Sequence, residues 1–281
     1  MRKEMASSPP SDTCPRCHGR GWLIVPDRGN GSARPCDCRK ESLGVQLLAR
    51  AELPERYRKC TLKNFNTGHT NPRIQRRLFE ARRICEQYVE EFFNPATQEF
   101  RSTGLVFVGP PGVGKTHLAA AVLQELILRY RVRGRFVDFT NLLYQIQSTF
   151  DTSSTESKSQ ILDPIVDAEV LVLDELGAHK KRWNDWVMEI LYLIMNTRYT
   201  RRLPTLFTTN YQLDDPKKPT AANHAVNDRA VQQRAAGQVE RPELLTSRIS
   251  PNLVSRLYEM AQPVRFAGFD YRREVMQFQR R

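Results

Sequence analysis

The sequence predicts an α/β fold, a three-layer sandwich of helices around a mostly parallel sheet, preceded by a small cysteine-rich ribbon. Three observations carry that prediction. The pattern Gly109-Pro110-Pro111-Gly112-Val113-Gly114-Lys115-Thr116 follows the apolar run 105–108 and opens a helical pattern over 116–130. A second apolar run, 170–173, ends in Asp174-Glu175. Four of the six cysteines form two close pairs between Cys14 and Cys38.

At the N-terminus, Cys14-Pro-Arg-Cys17 and Cys36-Asp-Cys38 flank a short segment. Residues 22–25 read as a strand, 26–31 as a turn and 32–35 as the return, a hairpin that brings the pairs together. Four thiolates suit tetrahedral Zn²⁺, and a closed four-cysteine shell is a structural rather than a catalytic site. Gly19 and Gly21 would let backbone N–H groups turn toward the sulfurs, and Arg16, Arg20, Arg34 and Arg39 would offset the negative charge. So small a segment buries too little apolar surface to fold alone, so metal binding would supply its folding energy. A redox pair, or His18 in place of one cysteine, stays open. Cys60 and Cys85 are isolated and read as buried, inert thiols.

Residues 41–60 are charged and interrupted by Pro54, and are expected to link the ribbon (1–40) to the main domain (61–281). Ile74, Leu78, Ala81, Cys85, Tyr88 and Phe92 recur at three- and four-residue spacing, an amphipathic helix over 73–93. After the phosphate-loop helix come a strand at 136–139 and a helix capped by Thr140, with Leu142, Leu143, Ile146 and Phe150 along its apolar stripe. Residues 151–160 are Ser/Thr-rich and read as a mobile loop. A helix over 183–198 carries Trp183, Val187, Ile190 and Ile194 on one stripe. The short strand 204–208 ends in Thr208-Thr209-Asn210. Residues 214–242 are polar, nearly free of large apolar side chains, and expected to be a disordered insertion. Ser250-Pro251 makes a good helix start, with Leu253, Val254, Leu257 and Tyr258 as its buried face.

The chemistry follows from the two motifs. Glycines let backbone N–H groups close around phosphate oxygens at a helix N-terminus, where the helix dipole favours an anion. The pattern needs a strand before it and a helix after it, and both are expected here. Lys115 would reach the β- and γ-phosphates, and Thr116 would complete the shell of Mg²⁺ with Asp174. Glu175 suits a base that orients water for attack on the γ-phosphate. Asn210 is placed to hold that water or to sense the γ-phosphate, although Asn is also a common turn residue after strands. An ATPase or a GTPase is expected.

The 281-residue chain carries a formal charge of +12, which makes nucleic acid the leading class of partner. Residues 1–10 carry charges and prolines but no apolar run, and no stretch reaches the length of a membrane span. The cysteine pattern is not a disulfide framework, so a cytoplasmic protein without membrane contact is expected.

Together, residues 109–116, Asp174-Glu175, Thr209-Asn210, Ser255-Arg256-Leu257 and Asp270-Tyr271-Arg272 resemble the AAA+ ATPases of the DnaC/DnaI helicase-loader type, relatives of the IstB transposition ATPases. The resemblance covers roughly residues 53–273, and the four-cysteine ribbon is similar to the helicase-docking region of DnaI-type loaders. It implies ATP as substrate, with His117 and Arg272 joining the loop residues at the nucleotide, Arg272 as the second sensor. It implies self-association in the ATP state, with Arg256 reaching into a neighbour's site and Arg248 as its rival. It implies slow, partner-stimulated hydrolysis, a hexameric replicative helicase and single-stranded DNA as partners, and no full C-terminal helical lid. A single strand would lie in a basic channel with aromatic stacking. Phe150 and the group Lys180, Lys181, Arg182 and Trp183 are the candidates, though both aromatics also suit core packing. The resemblance leaves open a transposition ATPase acting on duplex DNA.

Overall fold

The computed structural model describes residues 14–17, 22–25, 32–150, 157–178, 185–213, 243–268 and 270–271. A hairpin comes first, β1 (Trp22–Val25) antiparallel to β2 (Ser32–Pro35), with Trp22 opposite Pro35. Helix α1 (Asp37–Arg50) follows without a break, then a 3-10 turn (Glu55–Tyr57) and α2 (Pro72–Glu90). A two-residue-strand hairpin, β3 (Phe93–Asn94) with β4 (Glu99–Phe100), precedes the main sheet.

That sheet contains β5 (Gly104–Val108), β6 (Gly134–Asp138), β7 (Val170–Asp174), β8 (Thr205–Thr209) and β9 (Ala261–Arg265). Their spatial order is β6-β7-β8-β5-β9, and every pairing is parallel. The crossovers are α3 (Lys115–Tyr130), α4 (Phe139–Ser148), α5 (Lys158–Val166), α6 (Asp185–Thr200) and α7 (Pro251–Met260). β5, β7 and β8 are buried along their whole length, as expected of parallel strands covered on both faces. Side chains alternate between the two layers. Leu105 and Phe107 join the cluster under α2 and α3, whereas Val106 and Val108 join the one under α4 to α7.

Several expectations need correction. The segment 41–60 is not a free linker. Its helix continues to Arg50, Leu47 and Leu48 pack on the core, and Ala51 and Leu53 are buried. Phe136 N–H donates to Ala51 O at 2.7 Å, so the chain covers the outer edge of β6. Gly44 permits this docking, since a Cβ there would lie 3.2 Å from the Arg131 guanidinium. Asp138, not Thr140, caps α4, its carboxylate accepting from Asn141 N–H. Of the expected loop 151–160, residues 151–156 lie outside the described residues, and from Ser157 the chain forms α5, whose capping box pairs Ser157 with Gln160. Tyr258 is exposed and Met260 completes the buried face of α7. Cys85 is buried, but Cys60 is only half-buried and lines a cleft. The proposed insertion 214–242 and the hairpin turn 26–31 lie outside the described residues.

Arg198, on α6, is fully buried, and among the described residues no carboxylate lies within 4.0 Å of it. It donates to Thr205 Oγ1 and to the carbonyls of Ile165, Val166, Ala168 and Pro204 at 2.6–3.2 Å. The guanidinium thereby ties the end of α6 to the starts of β7 and β8, and burial pushes its pKa down to about 9. Arg198→Leu is expected to cost about 3 kcal/mol or more, since each orphaned buried acceptor costs about 1–3 kcal/mol. A fall in the urea midpoint at constant slope would report that loss; an unchanged midpoint would refute the role.

Candidate functional site

The parallel register aligns the carboxyl ends of β5, β7 and β8, with Val108 opposite Thr209 and Leu173 opposite Phe207. Ligands of open α/β sheets bind at that edge. The loop 109–114 leaves β5 there and turns into α3. Gly112 and Gly114 have φ of 79° and 96°, where a side chain is strained. They also meet neighbours at close quarters: a Cβ on Gly112 would lie 1.9 Å from Asp270 Oδ1, and one on Gly114 2.5 Å from the Phe65 ring.

Lys115 is buried at the first position of α3, and its Nζ donates to Gly109 O at 2.8 Å, Pro110 O at 2.7 Å and Asn210 Oδ1 at 2.7 Å. Asn210 thus faces the lysine from the end of β8. Asp174 Oδ1 accepts from Thr116 Oγ1 at 2.9 Å and from Thr208 Oγ1 at 2.5 Å. Burial pushes the Asp174 carboxyl up to about 6, while those two hydroxyls pull against it. A buried carboxylate beside a threonine hydroxyl at a phosphate loop is a donor set suited to Mg²⁺. Glu175 sits in the left-handed region at φ 61°, which turns it out of the strand and leaves it exposed. Its N–H is held by Thr208 Oγ1 at 2.9 Å, so Thr208 fixes both acids. Backbone of this kind is held in place by its surroundings and recurs at functional sites.

The cleft over these groups measures about 500 Å³. Tyr57 and Arg56 also line it, with the Arg56 guanidinium 4.5 Å from the Tyr57 ring centre. Next to it lies a mainly apolar cavity of about 250 Å³ between Phe65, Ile74, Val113 and Gly268. Asn66 Nδ2 donates to the Tyr271 hydroxyl at 3.3 Å and Tyr271 N–H to Gly112 O at 3.2 Å, which holds Tyr271 against the loop. His117 lines both this cavity and the cleft over Lys115. Its Nε2 lies 3.0 Å from Thr61 O, its ring packs edge-on to Phe65, and burial lowers its pKa. A flat base beside a phosphate loop fits such a cavity.

Sequence reasoning named the acids, the loop and Asn210, but missed Tyr57, Arg56, Phe65 and Asn66. No motif marks them: they lie in or near the stretch read as a linker, and only folding brings them to the loop. Thr208 and Tyr271 stood inside quoted motifs without a role.

Arg256, Arg248 and Phe150 do not line this cleft. Arg256 is half-buried on α7, and its Nη1 donates to Asn196 Oδ1 at 2.7 Å. Arg248 is paired with Glu243 at 2.7 and 3.2 Å and stacks on Tyr211. Phe150 is not in the core: it is exposed just past α4, its ring edge-on to Trp186 at 5.8 Å. Arg272, Lys180, Lys181, Arg182, Trp183 and His18 lie outside the described residues. At the N-terminus, Cys14 and Cys36 Sγ are 3.9 Å apart, Cys17 and Cys38 Sγ 3.3 Å, and all four fall within 4.8 Å of one another. Zn–S bonds of about 2.3 Å in a tetrahedron require sulfur–sulfur edges of about 3.8 Å, so the donor set fits such an ion. Hydrogen bonding to Cys17, then burial and the other sulfurs, pushes the Cys38 thiol up. Cys36 is the N-cap residue of α1 and Cys38 lies in its first turn.

Comparison with known proteins follows the same lines. The family described as IstB-like ATP binding protein matches residues 88–235. The phage-like element PBSX protein XkdC of Bacillus subtilis (strain 168) is 27% identical over 204 residues, 72% of this chain and 73% of that protein. The replicative helicase loader DnaC of Escherichia coli (strain K12) is 30% identical over 167 residues, 56% of this chain and 64% of that protein. Among solved structures, the DnaC helicase loader superposes with a TM-score of 0.55 at 28% identity, over 76% of this chain and 100% of that one. The DnaI structure, at 22% identity and a TM-score of 0.51, shares the fold over 78% of this chain and 94% of its own. Among the described residues no helix is long and apolar enough to cross a membrane.

Proposed function

Because this chain belongs to the family of IstB-like ATP binding proteins, we propose that it is an ATP-driven loader that places a hexameric replicative helicase on single-stranded DNA. ATP binding and hydrolysis come with the family. The loader reading rests on the likeness to the crystal structure of the DnaC helicase loader, a TM-score of 0.55 at 28% identity.

In this reading the loop 109–114 and Lys115 hold the phosphates, and a phosphate takes the place of the Gly109 and Pro110 carbonyls at Lys115 Nζ. Thr116 and Asp174 would hold Mg²⁺, which would supply positive charge to offset that of the phosphates. Glu175 orients and deprotonates the attacking water, and Asn210 senses the γ-phosphate through Lys115. Arg256 of one subunit completes the site of the next, where an arginine stabilises charge on the γ-phosphoryl group. Arg272 contacts the nucleotide as the second sensor. The four cysteines hold Zn²⁺ and present the ribbon to the helicase, and Phe150 stacks on a base of the single strand.

A second reading, a transposition ATPase on duplex DNA, follows from the likeness to IstB, whose family model matches residues 88–235. Co-purification with the host's replicative helicase separates the two, with turnover followed on single-stranded and duplex DNA. The expected result is a stable helicase complex and turnover stimulated by single strands. Duplex binding that depends on ATP, with no helicase complex, would overturn the loader reading in favour of the second.

A further inference from the structure

Helices α6 and α7 run side by side, and α6 presents Tyr192, Asn196 and Tyr199 to Arg256. These positions are spaced i, i+4 and i+7, so they share one face of α6. The Arg256 Cζ lies 5.1 Å from the Tyr192 ring centre and 5.7 Å from that of Tyr199, within cation–π range of both. Its Nη1 donates to the neutral amide of Asn196 at 2.7 Å. The neighbouring Glu259 carboxylate on α7 pushes the Tyr199 phenol pKa up.

The chemistry of this cradle is selective. Two ring faces and an amide oxygen hold a guanidinium in place but do not cancel its charge. Among the described residues, no carboxylate lies within 4.0 Å of the Arg256 guanidinium. Arg248 is the counterexample, because Glu243 already neutralises it at 2.7 Å. An arginine that must stabilise charge on another subunit's phosphoryl group needs a fixed direction and an uncompensated charge. Arg256 has both.

We propose that Tyr192, Asn196 and Tyr199 are positioning residues that hold Arg256 aimed and un-neutralised for the ATP site of a neighbouring copy of this chain. The proposal rests on Arg256 acting in trans, as set out above. Its signature is that Asn196 acts on its own subunit's arginine and therefore on the neighbour's catalysis.

The test mixes subunits of the full chain and follows ATP turnover. Glu175→Gln subunits cannot turn over their own ATP but can lend Arg256; Arg256→Ala subunits have an intact site but lend nothing. The mixture is expected to regain turnover that neither variant has alone. Asn196→Asp on the Glu175→Gln partner should pair with Arg256 and cut the rescue about tenfold or more, part of the about 10³–10⁵ that such an arginine supplies. The same change on the Arg256→Ala partner should leave the rescue, and the KM for ATP, unchanged. Tyr192→Phe and Tyr199→Phe should keep the rescue, whereas Leu at both positions should lower it with the thermal midpoint unaltered. Equal loss whichever partner carries Asn196→Asp would overturn the cradle while leaving Arg256 in trans intact. No rescue from the unmodified pair would overturn both.

Discussion

Glu175→Gln is expected to bind ATP as tightly as the native chain and to hydrolyse it about 10²–10⁴-fold more slowly, the usual contribution of a positioned general base. The change is isosteric and removes only the base. The groups that hold the phosphates and Mg²⁺ remain: Lys115, Thr116 and Asp174 are fixed by hydrogen bonds in which the Glu175 side chain takes no part. The Glu175 backbone is also held independently, its N–H on Thr208 Oγ1, so the left-handed turn at the end of β7 should survive. Single-turnover hydrolysis measured beside equilibrium nucleotide binding separates the two effects. Normal turnover would remove Glu175 from the mechanism, and parallel loss of binding would make it a structural residue.

The second large effect is expected from the four cysteines. Structural zinc in comparably small modules binds with an apparent free energy of about 10–16 kcal/mol at neutral pH. Chelation, or Cys14→Ser with Cys17→Ser, should therefore unfold the ribbon outright. The structure sets where that unfolding stops. Cys36 and Cys38 begin α1, so its first turns should be lost with the metal. Its far end is held by other means: Leu47 and Leu48 in the core, Gly44 against Arg131, and the hydrogen bond from Phe136 to Ala51. Hydrogen exchange is expected to show lost protection over residues 32–42 and retained protection from 47 onward, with ATP affinity preserved and helicase capture gone. Exchange spreading into α3 together with loss of ATP affinity would mean that ribbon and ATPase fold as one unit.

How much was legible in the sequence depends on the range of the interaction. Lys115, Thr116, Asp174 and Glu175 could be named because phosphate binding demands particular residues at fixed spacing, directly after a strand or at a helix start. The strands 105–108 and 170–173 were readable because a parallel strand covered on both faces is apolar throughout. β9 was not, since Gln262 and Arg265 break the apolar run and Pro263 argues against a strand. It pairs with β5 because it lies at the edge of the sheet, where proline is tolerated. The stretch 41–60 looked like a linker because charge and a proline dominate it. Its few apolar residues, Leu47, Leu48, Ala51 and Leu53, acquire meaning only when α3 and β6 are there to receive them.

By itself, then, the sequence determined the phosphate loop, the acids at the end of β7, the cysteine set and the order of strand and helix, because each depends on residues near in the chain. Tertiary structure alone decided the rest. It turned Thr208 into the support of both acids, set Tyr57 and Phe65 against the loop, and exposed Phe150 beside Trp186. It also laid α6 under Arg256, 60 residues from Asn196 in the chain. These contacts join residues far apart in sequence, and no local pattern encodes them: they exist once burial of the two apolar layers has brought the strand ends and helices to their places.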